Sequence, residues 1–141
     1  MRDYGILSFL DECGQTGAPL NDIISAVDLT RYAVGILLDA GLSGRLIYLK
    51  NGHYILSETG YFLLHNRMTR VNMAFTQDVC FLGMFYFDKA LSEKKSAGLR
   101  VFGDWPTIYP ALGVLPIKAR KGWSDFDHFI QMRHFRLHCP T

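Results

Sequence analysis

The sequence predicts a mainly α fold: a winged helix-turn-helix with a small β-hairpin wing, followed by C-terminal dimerisation helices. Three observations carry this expectation. Apolar residues recur at helical spacing in three short runs before Arg45. An Asn-Gly pair, Asn51-Gly52, then separates two β-prone runs, the strongest short-range hairpin signal. Finally, the stretch from Arg70 to Lys94 contains no proline and one glycine, Gly83, and carries apolar residues on two sides of a helix.

In chain order, Ile6, Phe9, Leu10 and Cys13 fall at i, i+3, i+4 and i+7 and predict a first helix, ended by Gly14 and Gly17. Pro19 suits a helix start, and Leu20, Ile23, Ile24 and Val27 repeat the same spacing. Thr30 is the expected N-cap of a third helix that carries Val34, Leu37, Leu38 and Leu42, with Gly41 and Gly44 expected to stop it. The wing comes next, as Leu46 to Leu49 and Tyr54 to Leu56 around Lys50-Asn51-Gly52-His53. Ser57 caps a fourth helix with Glu58 at its positive end, and Tyr61, Phe62 and Leu64 are expected to pack beneath the sheet. These elements define a winged-helix domain over 1–66.

A helical dimerisation extension over 67–129 follows. In the expected long helix from Arg70 to Lys94, Val71, Phe75, Val79, Leu82 and Tyr86 mark one face, and Met73, Cys80, Met84 and Phe87 mark another. A helix apolar on two sides must be covered on two sides, so Met73, Cys80, Met84 and Phe87 are the expected dimer interface unless the chain's own last helices cover them. Ser92 to Gly98, with Glu93, Lys94 and Lys95, reads as a solvated charged linker. Val101 to Thr107 predicts a short apolar strand or turn that leads, with Asp104 or Thr107 as cap, into a helix bearing Ile108, Leu112 and Leu115, which ends at Pro116. A last helix starts at Ile117 and carries Ala119, Trp123, Phe126 and Phe129. Residues 130–141 are basic, rich in histidine and aperiodic, and are expected to be an aberrant or disordered tail.

Composition narrows the function classes. With 49% hydrophobic and 20% charged residues in 141, the chain is globular and on the apolar side, which suits burial against a partner. A formal net charge of +2 implies no polyanion partner. The third helix and wing offer Arg31, Tyr32, Asp39, Arg45, Lys50 and His53, too few cations for a phosphate-binding face, so nucleic-acid binding is not expected. Three widely spaced cysteines, Cys13, Cys80 and Cys139, indicate a reducing compartment without disulfides. The N-terminus lacks the pattern of a signal peptide, and the longest apolar run, Val79 to Phe87, is too short to span a bilayer; the expected location is the cytoplasm, with no membrane contact. His134, His138 and Cys139 lie close together, but a fourth ligand from Asp125, Asp127 or His128 would be an arbitrary choice, and no metal is expected. No paired carboxylates, nucleophile elbow or phosphate-binding glycine loop is present, Cys80 reads as a packed thiol, and no catalytic residue is assigned.

Four segments carry a resemblance: Leu56-Ser57-Glu58-Thr59-Gly60-Tyr61-Phe62-Leu63-Leu64, Thr69 to Phe75, Val101-Phe102-Gly103-Asp104-Trp105-Pro106-Thr107-Ile108-Tyr109 and Phe126 to Phe129. With these, the chain up to Phe129 resembles the N-terminal winged-helix dimerisation domain of S-adenosylmethionine-dependent methyltransferases, the group that includes small-molecule O-methyltransferases. The resemblance implies helices exchanged with a second subunit, and places Trp105, Phe126 and His128 as residues lining the pocket of a small-molecule acceptor. It also implies that S-adenosylmethionine is held by a following doubly wound domain with a glycine-rich turn, which this sequence lacks, so the cofactor is expected only in a full-length relative. Departure from the family's pattern after Phe129 suggests a reading frame truncated or shifted there. The alternative is a natural short form that pairs with a full-length enzyme, so the partner is either a second copy or a longer relative. The expected function is that of a dimerisation and substrate-lid domain, not catalytic alone; the alternative is a winged-helix transcription regulator.

Overall fold

In the computed structural model the backbone is described over residues 1–138 and the side chains over residues 1–131. The chain forms two compact units, Met1–Asn66 and Arg67–Thr141.

Three helices of the first unit, α1 (Ile6–Cys13), α2 (Leu20–Ala26) and α3 (Arg31–Ser43), precede the hairpin strands β1 (Ile47–Lys50) and β2 (His53–Leu56), and α4 (Glu58–His65) closes the unit. This is the order of a winged helix. Its core takes Ile6, Leu10, Ile23, Val34 and Leu38 from the residues the helical spacing singled out, joined by Leu7, Ala18, Ile47 and Leu56, while Phe9, Cys13, Leu20, Ile24, Val27, Leu37 and Leu42 are partly buried around it. The Thr30 hydroxyl caps α3 by accepting from the Ala33 N–H at 3.3 Å.

The hairpin is tighter than the sequence suggested. Asn51 and Gly52 take φ of 52° and 79°, the paired left-handed conformations of a two-residue turn, so Lys50 and His53 pair with each other and belong to the strands. On its other side β2 bonds the α1–α2 connection, where the Ala18 N–H donates to the Tyr54 carbonyl at 3.0 Å and the Tyr54 N–H to the Ala18 carbonyl at 2.8 Å.

Two expectations for this unit are corrected. Gly41 does not stop α3: it lies buried within the helix, where the Met1 side chain fills the space a Cβ would need. Nor does Gly44, the C-cap, take the left-handed conformation; Arg45 does, with φ 55°, while the Leu46 N–H bonds the Gly41 carbonyl at 2.9 Å and the Arg45 N–H bonds that of Leu42 at 3.0 Å. That pair of bonds is a Schellman motif with arginine in the position glycine usually fills. In α4, Tyr61 and Phe62 are exposed, at 55% and 57%, and do not pack beneath the sheet; Leu63 and Leu64 meet the core. Gly60 sets this phase, because it lies against the Leu46 carbonyl and carries Leu63 and Leu64, three and four positions on, to the same face.

The second unit contains α5 (Arg67–Phe75), a π turn over Thr76–Cys80, a 3-10 segment over Leu82–Tyr86 and α6 (Phe87–Glu93). The uninterrupted helix expected from Arg70 to Lys94 is thus α-helical only at its two ends, and it begins at Arg67. The Phe81 N–H bonds the Thr76 carbonyl, five residues back, at 2.8 Å, and the Met84 N–H then bonds that of Phe81, three back, at 3.3 Å. Past α6 come two short 3-10 turns, Ala97–Val101 and Tyr109–Ala111, and the second stands where a helix was expected over Ile108 to Leu115. Pro110 lies within that stretch and Pro106 and Pro116 flank it, each disfavouring the α conformation in the residue before it, and neither Asp104 nor Thr107 caps the turn. From Ile117 the backbone of α7 is helical to His138, past the point where the aperiodic tail was expected to begin. Val79, Ala111, Leu115 and Ala119 form the core of the unit, with Phe75, Cys80, Phe102, Trp105, Ile108, Leu112 and Trp123 packed around it. No helix among the described residues is long and apolar enough to cross a membrane.

Candidate functional site

The most apolar stretch of sequence is also the most exposed apolar stretch of the second unit. Between the π turn and the end of α6, Phe81, Leu82, Met84, Phe85, Phe87 and Leu91 are 59%, 55%, 60%, 78%, 51% and 62% exposed. Isolated surface hydrophobics need no explanation, but six large ones within eleven consecutive positions make a patch of the kind that marks an interaction surface. Of the four residues marked as an interface from the sequence, Met84 and Phe87 lie in this patch. Met73 is half-buried and lines a hollow of about 560 Å³ with Thr69, Asn72, Thr76, Gln77 and Phe81. Cys80 packs against the core of the unit, and burial pushes its thiol up from the ordinary range. Phe81, Leu82, Phe85 and Leu91 were not singled out as interface residues, although the first three fall within the apolar run Val79 to Phe87; a strict helical period hid them, because the backbone there is not strictly α-helical.

The three acceptor-lining candidates have separate surroundings. The Phe126 ring, on α7, stacks on Phe75 of α5 at 4.0 Å between centroids with 6° between planes. His128 is exposed on α7. Trp105 packs at the edge of the core with its indole Nε1 against Gly103, and that buried N–H has no hydrogen-bond partner among the described residues. Packing fixes Phe126 and Trp105, whereas among the described residues none is shown holding His128.

On the first unit, the solvent face of α3 carries Arg31, Tyr32, Ile36 and Asp39, and the wing exposes Tyr48 and Leu49. The Arg31 guanidinium is already engaged, donating to the Asn21 side-chain oxygen at 2.9 Å. With Arg45 and Lys50 also exposed, this face mixes apolar residues with three cations and one carboxylate, few contacts for a phosphate backbone. His134, His138 and Cys139, weighed as metal ligands, lie outside the residues whose side chains are described; among the described residues no cluster of metal-binding side chains occurs.

No protein-family model matches this sequence, and no curated protein matches it. Among solved structures, the chain is similar to that of the S-adenosylmethionine-dependent methyltransferase SibL in its apo form, with a TM-score of 0.74 and 18% identity. The alignment covers 89% of this chain and 37% of that one, so this chain spans well under half the length of its structural neighbour. At that identity the match establishes a shared fold over nearly all of this sequence.

Proposed function

We propose that this chain is the helical, non-catalytic part of a small-molecule methyltransferase, acting as a dimerisation module and as a lid over the acceptor. The observation that carries the reading is the exposed apolar run from Phe81 to Leu91, borne by a chain whose fold matches part of a methyltransferase. Burial of such a run against a second subunit removes a large apolar area from water, each fully buried side chain contributing about 1.5–3 kcal/mol before the cost of association. The only strands among the described residues are β1 and β2, so these residues contain no parallel sheet of the sort that holds S-adenosylmethionine in doubly wound domains. Cofactor binding and methyl transfer are therefore assigned to residues other than those described here, and Trp105 and Phe126 to the walls of an acceptor pocket completed elsewhere.

Mass in solution measured by light scattering, together with calorimetry against S-adenosylmethionine, tests the reading. A dimer that binds no cofactor is the expected result. Micromolar binding of S-adenosylmethionine by the isolated chain, or a monomer at all accessible concentrations that also fails to pair with a full-length methyltransferase, overturns it.

A further inference from the structure

Charge is unevenly divided along this sequence. Residues 67–141 carry eleven Lys and Arg against six Asp and Glu, whereas residues 1–66 carry four against seven. Within the second unit, part of that excess converges on a hollow walled by Trp105, the residue assigned above to an acceptor pocket. The chain leaves α6 at Lys94, which takes a left-handed conformation with φ 52° and ψ 41°. The Lys95 N–H then bonds the Ala90 carbonyl at 3.3 Å, and the Ala97 N–H bonds that of Lys95 at 2.8 Å, which folds the segment back on itself. The 3-10 turn Ala97–Val101 carries Arg100, and Gly103, with φ 134°, turns the chain again so that Trp105 and Pro106 follow. Only glycine tolerates that φ at low cost, and a Cβ there would collide with the Trp105 indole.

These turns enclose a hollow of about 540 Å³, within the range of small-molecule sites. Three cationic residues, Lys94, Lys95 and Arg100, line it against one carboxylate, Asp104. Among the described residues no ion pair engages Lys94 or Lys95. Arg100 reaches Glu93 only at 3.9 Å, and Glu93 is shared with Lys89 at 3.6 Å, so little holds the guanidinium back from a ligand. Ala97, which is buried, and Trp105 and Pro106 supply the apolar part. A purely hydrated anion gains nothing from such a wall, and a neutral ring gains only a weak cation–π attraction from the three cations. An anion attached to an aromatic ring gains from both, by charge-assisted hydrogen bonds at one end and stacking at the other.

We propose that the hollow between the Lys94–Ala97 turn and the Trp105–Pro106 wall binds a small aromatic carboxylate, with Lys94, Lys95 and Arg100 on the carboxylate and the Trp105 face on the ring. The site rests on the second unit alone and stands whether or not the chain belongs to a methyltransferase. Ser92 to Gly98 is then a binding turn and not the solvated linker its charge suggested.

The test follows the Trp105 indole N–H by nitrogen-edited NMR, the signal being assigned by its loss in Trp105→Phe. Titration with 2-naphthoate is expected to shift it saturably, with the neutral 2-naphthylmethanol giving no saturable shift over the same range. In Lys94→Gln/Lys95→Gln the affinity for 2-naphthoate should fall about five- to tenfold, and Arg100→Gln should weaken it independently. Helicity measured on each variant distinguishes lost binding from lost folding, and the Arg100 variant serves if the lysine pair fails to fold. Equal binding of the neutral alcohol, unchanged affinity in the folded variants, or no shift at millimolar naphthoate overturns the proposal. So does a hexaglutamate peptide that saturates the signal at lower concentration than naphthoate, since the site would then serve an acidic chain segment.

Discussion

The Ser57 hydroxyl donates to the Arg45 carbonyl at 2.7 Å while accepting from the Gly60 N–H at 3.0 Å. One side chain thereby caps the start of α4 and satisfies a carbonyl at the end of α3, with the whole wing looped between them. Ser57→Ala removes both bonds at once and should lower stability by about 1–2 kcal/mol, seen as a lower denaturant midpoint at unchanged slope. Ser57→Thr should recover most of the loss, and an Ala variant as stable as the parent would show that neither bond matters.

Arg45 itself holds a conformation that L-residues adopt at a cost. Its bond to Ser57 is made by the backbone, so Arg45→Gly keeps it while relieving the strain. The glycine's greater freedom when unfolded offsets part of the gain, leaving a stabilisation of about 0.5 kcal/mol. A β-branched substitution, Arg45→Val, should move the midpoint the other way.

Gly60→Ala is expected to be a damaging change in this unit. The new Cβ would lie 2.2 Å from the Leu46 carbonyl oxygen and 2.6 Å from Leu56 Cδ1, and the first of these is backbone that cannot swing aside. A loss of roughly 2 kcal/mol or more is expected by thermal or denaturant unfolding.

A charge placed in the exposed apolar run tests the dimer directly. Met84 and Phe87 make little contact within their own unit, being 60% and 51% exposed, so Met84→Lys and Phe87→Lys should leave the monomer's fold intact and weaken association at least tenfold by sedimentation. Unchanged mass and stability in both would show that this face covers nothing.

Cys80 offers a pH signature. Its thiol is raised by burial, so in the alkaline range the unfolded chain ionises first and releases a proton that the folded chain keeps. The contribution is fully present below the ordinary thiol range and is lost as pH rises through it. Cys80→Ala should flatten that part of the alkaline stability profile, and Cys80 should alkylate more slowly in the native chain than in denaturant.

Local patterns made much of the first unit legible. Helical spacing marks Ile6, Leu10, Ile23, Val34 and Leu38, Thr30 and Ser57 stand where caps belong, and Asn51-Gly52 names its own turn. What the sequence concealed depends on tertiary contact. Gly41 resembles a stop signal but is a gap filled by Met1, and the left-handed residue is an arginine no propensity would choose. In the second unit, the π turn at Thr76–Cys80 and the prolines at 106, 110 and 116 break the periodicity on which helix reading depends. Of the site, the apolar run was visible as composition. The basic hollow was not, because Lys94, Lys95, Arg100 and Trp105 meet only after two turns whose geometry no spacing rule encodes.

The reciprocal bonds between Ala18 and Tyr54 change the mechanical character of the wing. A hairpin attached only through its ends flaps independently, and its amides exchange with solvent each time it lifts. Here the inner strand is riveted midway along to the α1–α2 connection, so it lifts only when that connection also opens. Hydrogen exchange at Tyr54 and Ala18 should therefore keep the slow pace of the helical core, and wing and helices should open as one cooperative unit.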